Sequence, residues 1–161
     1  MILIGLGANL DGVYGTPDQC LQECSNLLAG AGINVIKLSS IWRSAPVPIS
    51  DQPWYKNAVC SVETDLNPHE LLSALANIED EAGRTREELN AARTLDLDIL
   101  SYNDKIINEA QLTLPHPEIH NRSFVLYPLR EIAPNWVHPI LGKSVDEMIA
   151  KMPKGQEIER C

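Results

Sequence analysis

The chain predicts an α+β protein, a two-layer ferredoxin-like sandwich with a mainly antiparallel sheet and short additions at its C-terminal end. Three observations predict it. Extended and helical patterns follow one another in the order β-α-β-β-α-β. The second helix carries complete start and stop signals, from Asn67-Pro68 to Gly83. The last strand of the unit, Asp96-Leu97-Asp98-Ile99, alternates strictly between polar and apolar residues, the period of a half-buried strand.

Met1–Gly7 reads as a short buried strand, in which Gly5 and Gly7 let another backbone or a ligand come close. No Gly-Lys-Ser/Thr comes after it, so this is not a phosphate-binding P-loop. Apolar spacing from Pro17 to Leu28 predicts a helix, closed by Gly30 and Gly32. Asn34–Trp42 returns to strand, and Ser44–Pro53 is a proline-rich loop. Tyr55–Thr64 is the next strand, with Tyr55, Asn57, Val59 and Ser61 on one face and Ala58, Cys60 and Val62 on the other. Asn67 is the expected N-cap of the second helix, Pro68 its first residue, and Glu70 completes a capping-box start. Its apolar stripe is Leu71, Leu72, Leu75, Ile78 and Ala82. Residues 84–92 form a polar loop that feeds the Asp96 strand. A turn at Asn103-Asp104 leads into a second short strand through Ile106 and Ile107. Pro115-His116-Pro117 is expected to be extended, Asn121–Ile132 helical, and Ser144–Lys151 a short amphipathic helix.

At 161 residues this is expected to be one domain over 1–161, without repeats or linkers, long enough to bury about two-thirds of its unfolded surface. Thirteen basic against 22 acidic residues leave a net charge of −9, which argues against a nucleic-acid partner. Cys20, Cys24, Cys60 and Cys161 lack zinc-site spacing, and Cys20 and Cys24 read as small apolar packing residues. No signal segment opens the chain and no apolar run approaches 18 residues, so a soluble, cytoplasmic protein is expected.

The chemistry sits on the last strand. Successive side chains of a strand point to opposite faces, so Asp96 and Asp98 share one face while Leu97 and Ile99 anchor the other. Two carboxylates about 7 Å apart, at roughly 3.3 Å per residue, repel unless something positive lies between them. A hard divalent cation suits that gap, and Mg²⁺ brings phosphates with it. An acidic protein that handles phosphate must also concentrate its few cations, which directs attention to Arg84, Arg86, Arg93 and Arg122.

Five segments in order, Gly5–Leu10, Arg43–Asn57, Ile78–Arg86, Arg93–Leu100 and Leu112–Phe124, resemble those of the 6-hydroxymethyl-7,8-dihydropterin pyrophosphokinases of folate biosynthesis. The resemblance spans nearly the whole chain. It implies an ATP-dependent transferase in which the pterin hydroxymethyl oxygen attacks the β-phosphorus of ATP and AMP leaves. It further implies that Asp96 and Asp98 hold two Mg²⁺ ions, with Arg84 and Arg93 beside them as catalytic cations. Glu79, Arg84, Arg86, Arg93, Ile99, Thr113, His116 and Arg122 match its nucleotide-binding positions. Guanidinium forks suit phosphate oxygens better than lysine would. By the same resemblance Tyr55 and Phe124 sandwich the flat pterin ring, while Asn57, Ser44, Ala45 and Val47 read its polar edge.

The chain departs from the family pattern in three places. Before Arg93, where relatives carry a basic residue and often a tryptophan, it reads Glu87-Glu88-Leu89-Asn90-Ala91-Ala92. Gln111 replaces an arginine of some relatives, and Pro117 a tyrosine. Two alternatives stay open here: another Mg-dependent nucleotide kinase or nucleotidyl transferase on the same scaffold, and a non-catalytic ligand- or RNA-binding module. The acidic balance and the lack of an aromatic RNA-binding strand motif weigh against the last.

Overall fold

The structure, a computed structural model, describes residues 1–46, 48–83 and 94–161. Val47 and the segment 84–93, which includes Arg84, Arg86 and Arg93, lie outside the described residues.

A six-stranded sheet forms the centre. Its ferredoxin-like part runs β1 (Ile2–Ala8), α1 (Pro17–Gly30), β2 (Ile33–Leu38) with β3 (Trp42–Ser44), β4 (Tyr55–Thr64), α2 (Pro68–Glu81) and β5 (Asp96–Tyr102). Strand β1 lies between β4 and β5, and both pairings are antiparallel. The expected βαββαβ unit is thus present. The capping prediction at Asn67 also holds. The Asn67 side chain accepts from the Glu70 N–H, and the Glu70 side chain accepts from the Asn67 N–H. Helix α1 starts the same way, with Thr16 and Gln19.

The single strand expected over Asn34–Trp42 is in fact two. Ser39 interrupts it: its N–H donates to Val59 O, and its Oγ accepts from Val59 N–H where a main-chain oxygen would have served. Leu38 faces Cys60 and Trp42 faces Asn57, four steps on one strand against three on its neighbour. The extra residue is a bulge, which bends the edge and re-aims β3. The helix expected from Asn121 is likewise shorter. Ile119–Asn121 is a 3₁₀ turn, Arg122 is extended, and α3 runs Ser123–Ile132. The strand expected after the Asn103 turn is β6 (Ile107–Asn108), which pairs with β7 (Thr113–Leu114) in a separate ribbon rather than joining the sheet. Beyond α4 (Val145–Lys151), the unforeseen β8 (Ile158–Arg160) adds to the sheet against β3.

The two faces of the sheet carry separate cores. Helices α1 and α2 bury Leu21, Leu28, Leu71 and Leu75 against Ile4, Leu6, Cys60 and Ile99. Cys20 and Cys24 are buried free thiols in this layer, as the apolar-packing reading expects, and Cys60 is buried with them. Burial pushes the Cys60 thiol up to about 12, so it stays protonated and inert. On the opposite face α3 and α4 bring Val125, Leu126, Leu129, Val145 and Met148 against Leu3, Val59 and Leu100. Each fully buried leucine contributes about 1.5–3 kcal/mol. The C-terminal helices cover only part of this second face, and the end of the sheet bearing Gly5, Gly7, Asp96 and Asp98 is left as a cavity floor.

Candidate active site

The floor is set by register. Gly5 stands opposite Asp98 and Gly7 opposite Asp96 on one side, while Gly7 stands opposite Asn57 on the other. With Leu3 and Leu100 on the same face, the central strand presents two glycines between a carboxylate pair and an amide. Of the two, Gly7 is the more tightly enclosed. A Cβ on Gly7 would lie 3.3 Å from Asn57 Nδ2, and one on Gly5 would lie 3.4 Å from Leu100 Cδ2. The result is a cavity of about 640 Å³ whose lining includes Asp96, Asp98, Asn57, Tyr55, Arg122 and Phe124.

On the amide side, Asn57 is 5% exposed and Ser44 2% exposed. The Ser44 Oγ donates to Asn57 Oδ1 at 2.7 Å, which leaves Nδ2 as the donor beside Gly7. Ala45 also lines the cavity, and its N–H donates to Glu157 O at 3.1 Å. Tyr55 and Phe124 both border the space. Tyr55 Oη donates to Gln52 Oε1 at 3.3 Å, and buried Asn9 donates to the same oxygen at 2.8 Å and to Pro53 O at 2.9 Å. Asn9 thereby ties the end of β1 to the loop beside the cavity.

The carboxylate side is pinned from behind. Glu79, near the end of α2, is 4% exposed, and its Oε2 accepts from Leu97 N–H, between the two aspartates, at 2.8 Å. Of the nucleotide-site positions implied by resemblance, Arg122 lines the cavity, with its guanidinium carbon 5.5 Å from the centre of the Phe124 ring. His116 is half-buried and bonded through its own N–H to Leu100 O of β5 at 2.8 Å. Its Nδ1 accepts from Glu118 N–H at 3.1 Å, so the ring proton sits on Nε2. Burial first, and then the Arg122 charge, lower the His116 pKa to about 4, so the ring is a neutral N–H donor at physiological pH.

Four of the implied positions among the described residues, His116 and three more, are not part of the cavity wall. Glu79 acts on β5 from the helical face, and Thr113 lies on the β6–β7 ribbon with its Oγ1 donating to Glu109 O. The Ile99 side chain is in the α1–α2 core, so only its main chain, on the edge strand β5, can meet a ligand. Conversely, the cavity recruits residues that pattern reading passed over: Gln52, Glu118, Asn121 and the tail residues Lys154 and Gln156. Asn121 donates to Glu118 Oε2 at 3.1 Å. None of these carries a periodic signal, because they lie in turns.

The donors fit Mg²⁺ brought in with a phosphate ligand. Among the described residues no group of three or more His, Cys, Asp or Glu side chains could cage an ion. Mg²⁺ typically binds through one or two carboxylates and completes its octahedron with water and substrate phosphates. Asp96 and Asp98, side by side over a glycine floor, are such a set.

Residues 3–134 match the family model of 7,8-dihydro-6-hydroxymethylpterin pyrophosphokinase. The chain belongs to that family. It is 43% identical over 136 residues to 2-amino-4-hydroxy-6-hydroxymethyldihydropteridine pyrophosphokinase of Haemophilus influenzae, covering 84% of this chain and 83% of that one. It is 37% identical to the enzyme of the same name from Methylorubrum extorquens, over 96% of this chain and 95% of the relative. The folic acid synthesis protein of Pneumocystis carinii is 40% identical over 94% of this chain, which matches only 20% of that longer protein. A crystal structure of Plasmodium falciparum HPPK-DHPS superposes with a TM-score of 0.74 over 93% of this chain and 42% of that one, and at 15% identity it speaks to the fold alone. As a member of the family, the chain is a transferase that passes a pyrophosphoryl group from ATP to hydroxymethyldihydropterin in folate synthesis, a reaction generally run with Mg²⁺. Among the described residues no helix is long and apolar enough to cross a membrane.

Proposed function

We propose that the cavity above the Gly5–Gly7 floor is where this transfer takes place, with the two substrates on its two sides. The observation that supports the reading is the register itself: Gly5 and Gly7 separate Asp98 and Asp96 on one flank from Asn57 on the other. The pterin ring lies between Tyr55 and Phe124. Its polar edge meets Asn57 Nδ2, held by Ser44, together with the Ala45 and Val47 main chain. Nearly every polar atom of such a ring needs a partner once buried, which makes the pocket selective.

The triphosphate lies on the Asp96–Asp98 side. Arg122 and neutral His116 donate to its oxygens, and Arg84, Arg86 and Arg93 belong to the same reading, as do Glu79, Ile99 and Thr113 at its periphery. Asp96 and Asp98 would hold two Mg²⁺ ions, which would neutralise charge on the triphosphate oxygens. The hydroxymethyl oxygen forms a bond to the β-phosphorus, the bond from that phosphorus to the oxygen bridging to the α-phosphate breaks, and AMP leaves with the bridging oxygen. The hydroxyl proton passes to solvent water in the same exchange. What the residues contribute is in-line placement and donors aimed at developing charge. The reading includes a single cytoplasmic domain over residues 1–161 acting on small molecules without nucleic acid.

The test is product identity. Incubation with ATP, Mg²⁺ and 6-hydroxymethyl-7,8-dihydropterin is expected to release AMP. ADP would instead indicate an ordinary kinase, and free pyrophosphate a nucleotidyl transferase. Asp96→Ala and Asp98→Ala are each expected to lower AMP formation by about a hundred-fold or more at saturating Mg²⁺ without loss of fold. Near-normal turnover by either variant would refute the metal assignment.

A further inference from the structure

Helix α3 begins at the residues on which one cavity wall depends, yet its own sequence does not cap it. Arg122 occupies the N-cap in an extended conformation (φ −115°, ψ 113°) and makes no side-chain capping bond. The acceptor comes from the tail instead. Gln156 Oε1 accepts from Ser123 N–H at 3.0 Å, while Gln156 Nε2 donates to Asn121 O at 2.6 Å and to Pro153 O at 3.3 Å. One planar amide therefore holds the carbonyl before Arg122 and the N–H after it. The clamp is itself anchored across the cavity. Glu157 O accepts from Ala45 N–H at 3.1 Å, and β8 then pairs with β3, placing Ile158 opposite Ser44. The tail connects the Ser44–Ala45 wall to the Arg122–Phe124 wall.

We propose that Gln156 is a positioning residue for both substrates, setting the direction in which Arg122 and Phe124 enter the cavity. Gln156 borders the cavity, but both ends of its amide are engaged within the protein, and its positioning role is exerted through Asn121 and Ser123. Backbone φ and ψ at Arg122 decide where two side chains of opposite duty point, a cation toward the nucleotide and a ring toward the pterin. The inference rests on the assignment of Arg122 and Phe124 given above.

The experiment compares Gln156→Ala and Gln156→Glu with Thr16→Ala, which removes the N-cap of helix α1 on the opposite face of the sheet. Calorimetry well below each melting temperature measures binding of 6-hydroxymethyl-7,8-dihydropterin and of a non-hydrolysable ATP analogue with Mg²⁺. Gln156→Ala is expected to raise both dissociation constants by about ten-fold. Gln156→Glu retains an acceptor for Ser123 but not the donor to Asn121, and is expected to raise both by about three-fold. Thr16→Ala is expected to lower the melting temperature and leave both constants unchanged. If both Gln156 variants bind within two-fold of the parent while melting earlier, Gln156 only stabilises the helix and the proposal falls. Should Gln156→Ala not fold, unchanged binding by Gln156→Glu overturns it equally. If Arg122→Ala and Phe124→Ala weaken binding and Gln156→Ala does not, only this inference fails. If those two variants also bind normally, the wall assignment fails and takes the inference with it.

Discussion

Gly7 has no side chain because the neighbouring amide uses that space. A Cβ there would lie 3.3 Å from Asn57 Nδ2, the group left pointing outward once Ser44 has taken Oδ1. Gly7→Ala is therefore expected to displace the Asn57 amide and weaken dihydropterin binding by about ten-fold, with the melting temperature nearly unchanged. Calorimetric titration checks this, and undiminished affinity would remove Asn57 from the pterin site. His116 belongs to the same scale. Its ordinary value of 6.5 falls to about 4 in the fold, through burial and then the charge of Arg122. Between those values the unfolded chain holds more protons than the folded one, so stability rises with pH across that window. The contribution is complete above the ordinary value and is lost as pH falls toward the folded one. In ligand-free protein, His116→Gln is expected to flatten the dependence of the urea midpoint on pH between about 6.5 and 4. An unaltered slope would show that another group is responsible.

At the scale of elements, helix α2 and strand β5 are joined by a hydrogen bond from Leu97 N–H to Glu79 Oε2. The capping box at Asn67 starts the helix and the stripe from Leu71 to Ile78 docks it, which brings Glu79 to the strand. Truncation leaves a buried N–H without its acceptor, a cost of about 1–3 kcal/mol. Glu79→Ala should lose roughly that much stability by denaturant titration, with a larger proportional loss in turnover because β5 carries both aspartates. A stability unchanged from the parent would mean that the bond contributes little to the fold. Much of this was legible in the order of residues. The alternation at 96–99 put both aspartates on one face, as found, and Asn67-Pro68-Glu70 marked the start of α2 to the residue. The division of β2 from β3 was not legible. It turns on Ser39 substituting its hydroxyl for a main-chain group opposite Val59, 20 residues away.

For the molecule as a whole, one sheet separates two cores, and only the one beneath α3 contains a helix whose side chains line the cavity. Leu71 and Leu126 are both fully buried, the first beneath α2 and the second beneath α3. Truncating either to alanine should cost about 2–5 kcal/mol. For a chain of this size that is roughly 2–4 °C of melting temperature per kcal/mol. Their effects on ligands should differ. Leu126→Ala loosens the helix that presents Arg122 and Phe124, so nucleotide and pterin affinities should both fall, whereas Leu71→Ala, whose helix reaches the site only through Glu79, should leave pterin affinity near normal below its melting point. Equal effects on binding would show that the two layers are mechanically coupled through the sheet.

By itself the sequence determined the elements whose cause is local. Period-2 and helical spacing, the cap at Asn67, and the shared face of Asp96 and Asp98 all depend on residues within a few positions of one another. Motif similarity extended that to the family and its reaction. Tertiary structure alone decided which surfaces met. It set Gly5 and Gly7 between the aspartates and Asn57, gave Glu79 to Leu97, sent the Ile99 side chain into the helical core, and folded the tail back so that Gln156 caps α3. The physical reason is range: a half-satisfied backbone group announces its need locally, but its partner comes from wherever the packed chain returns.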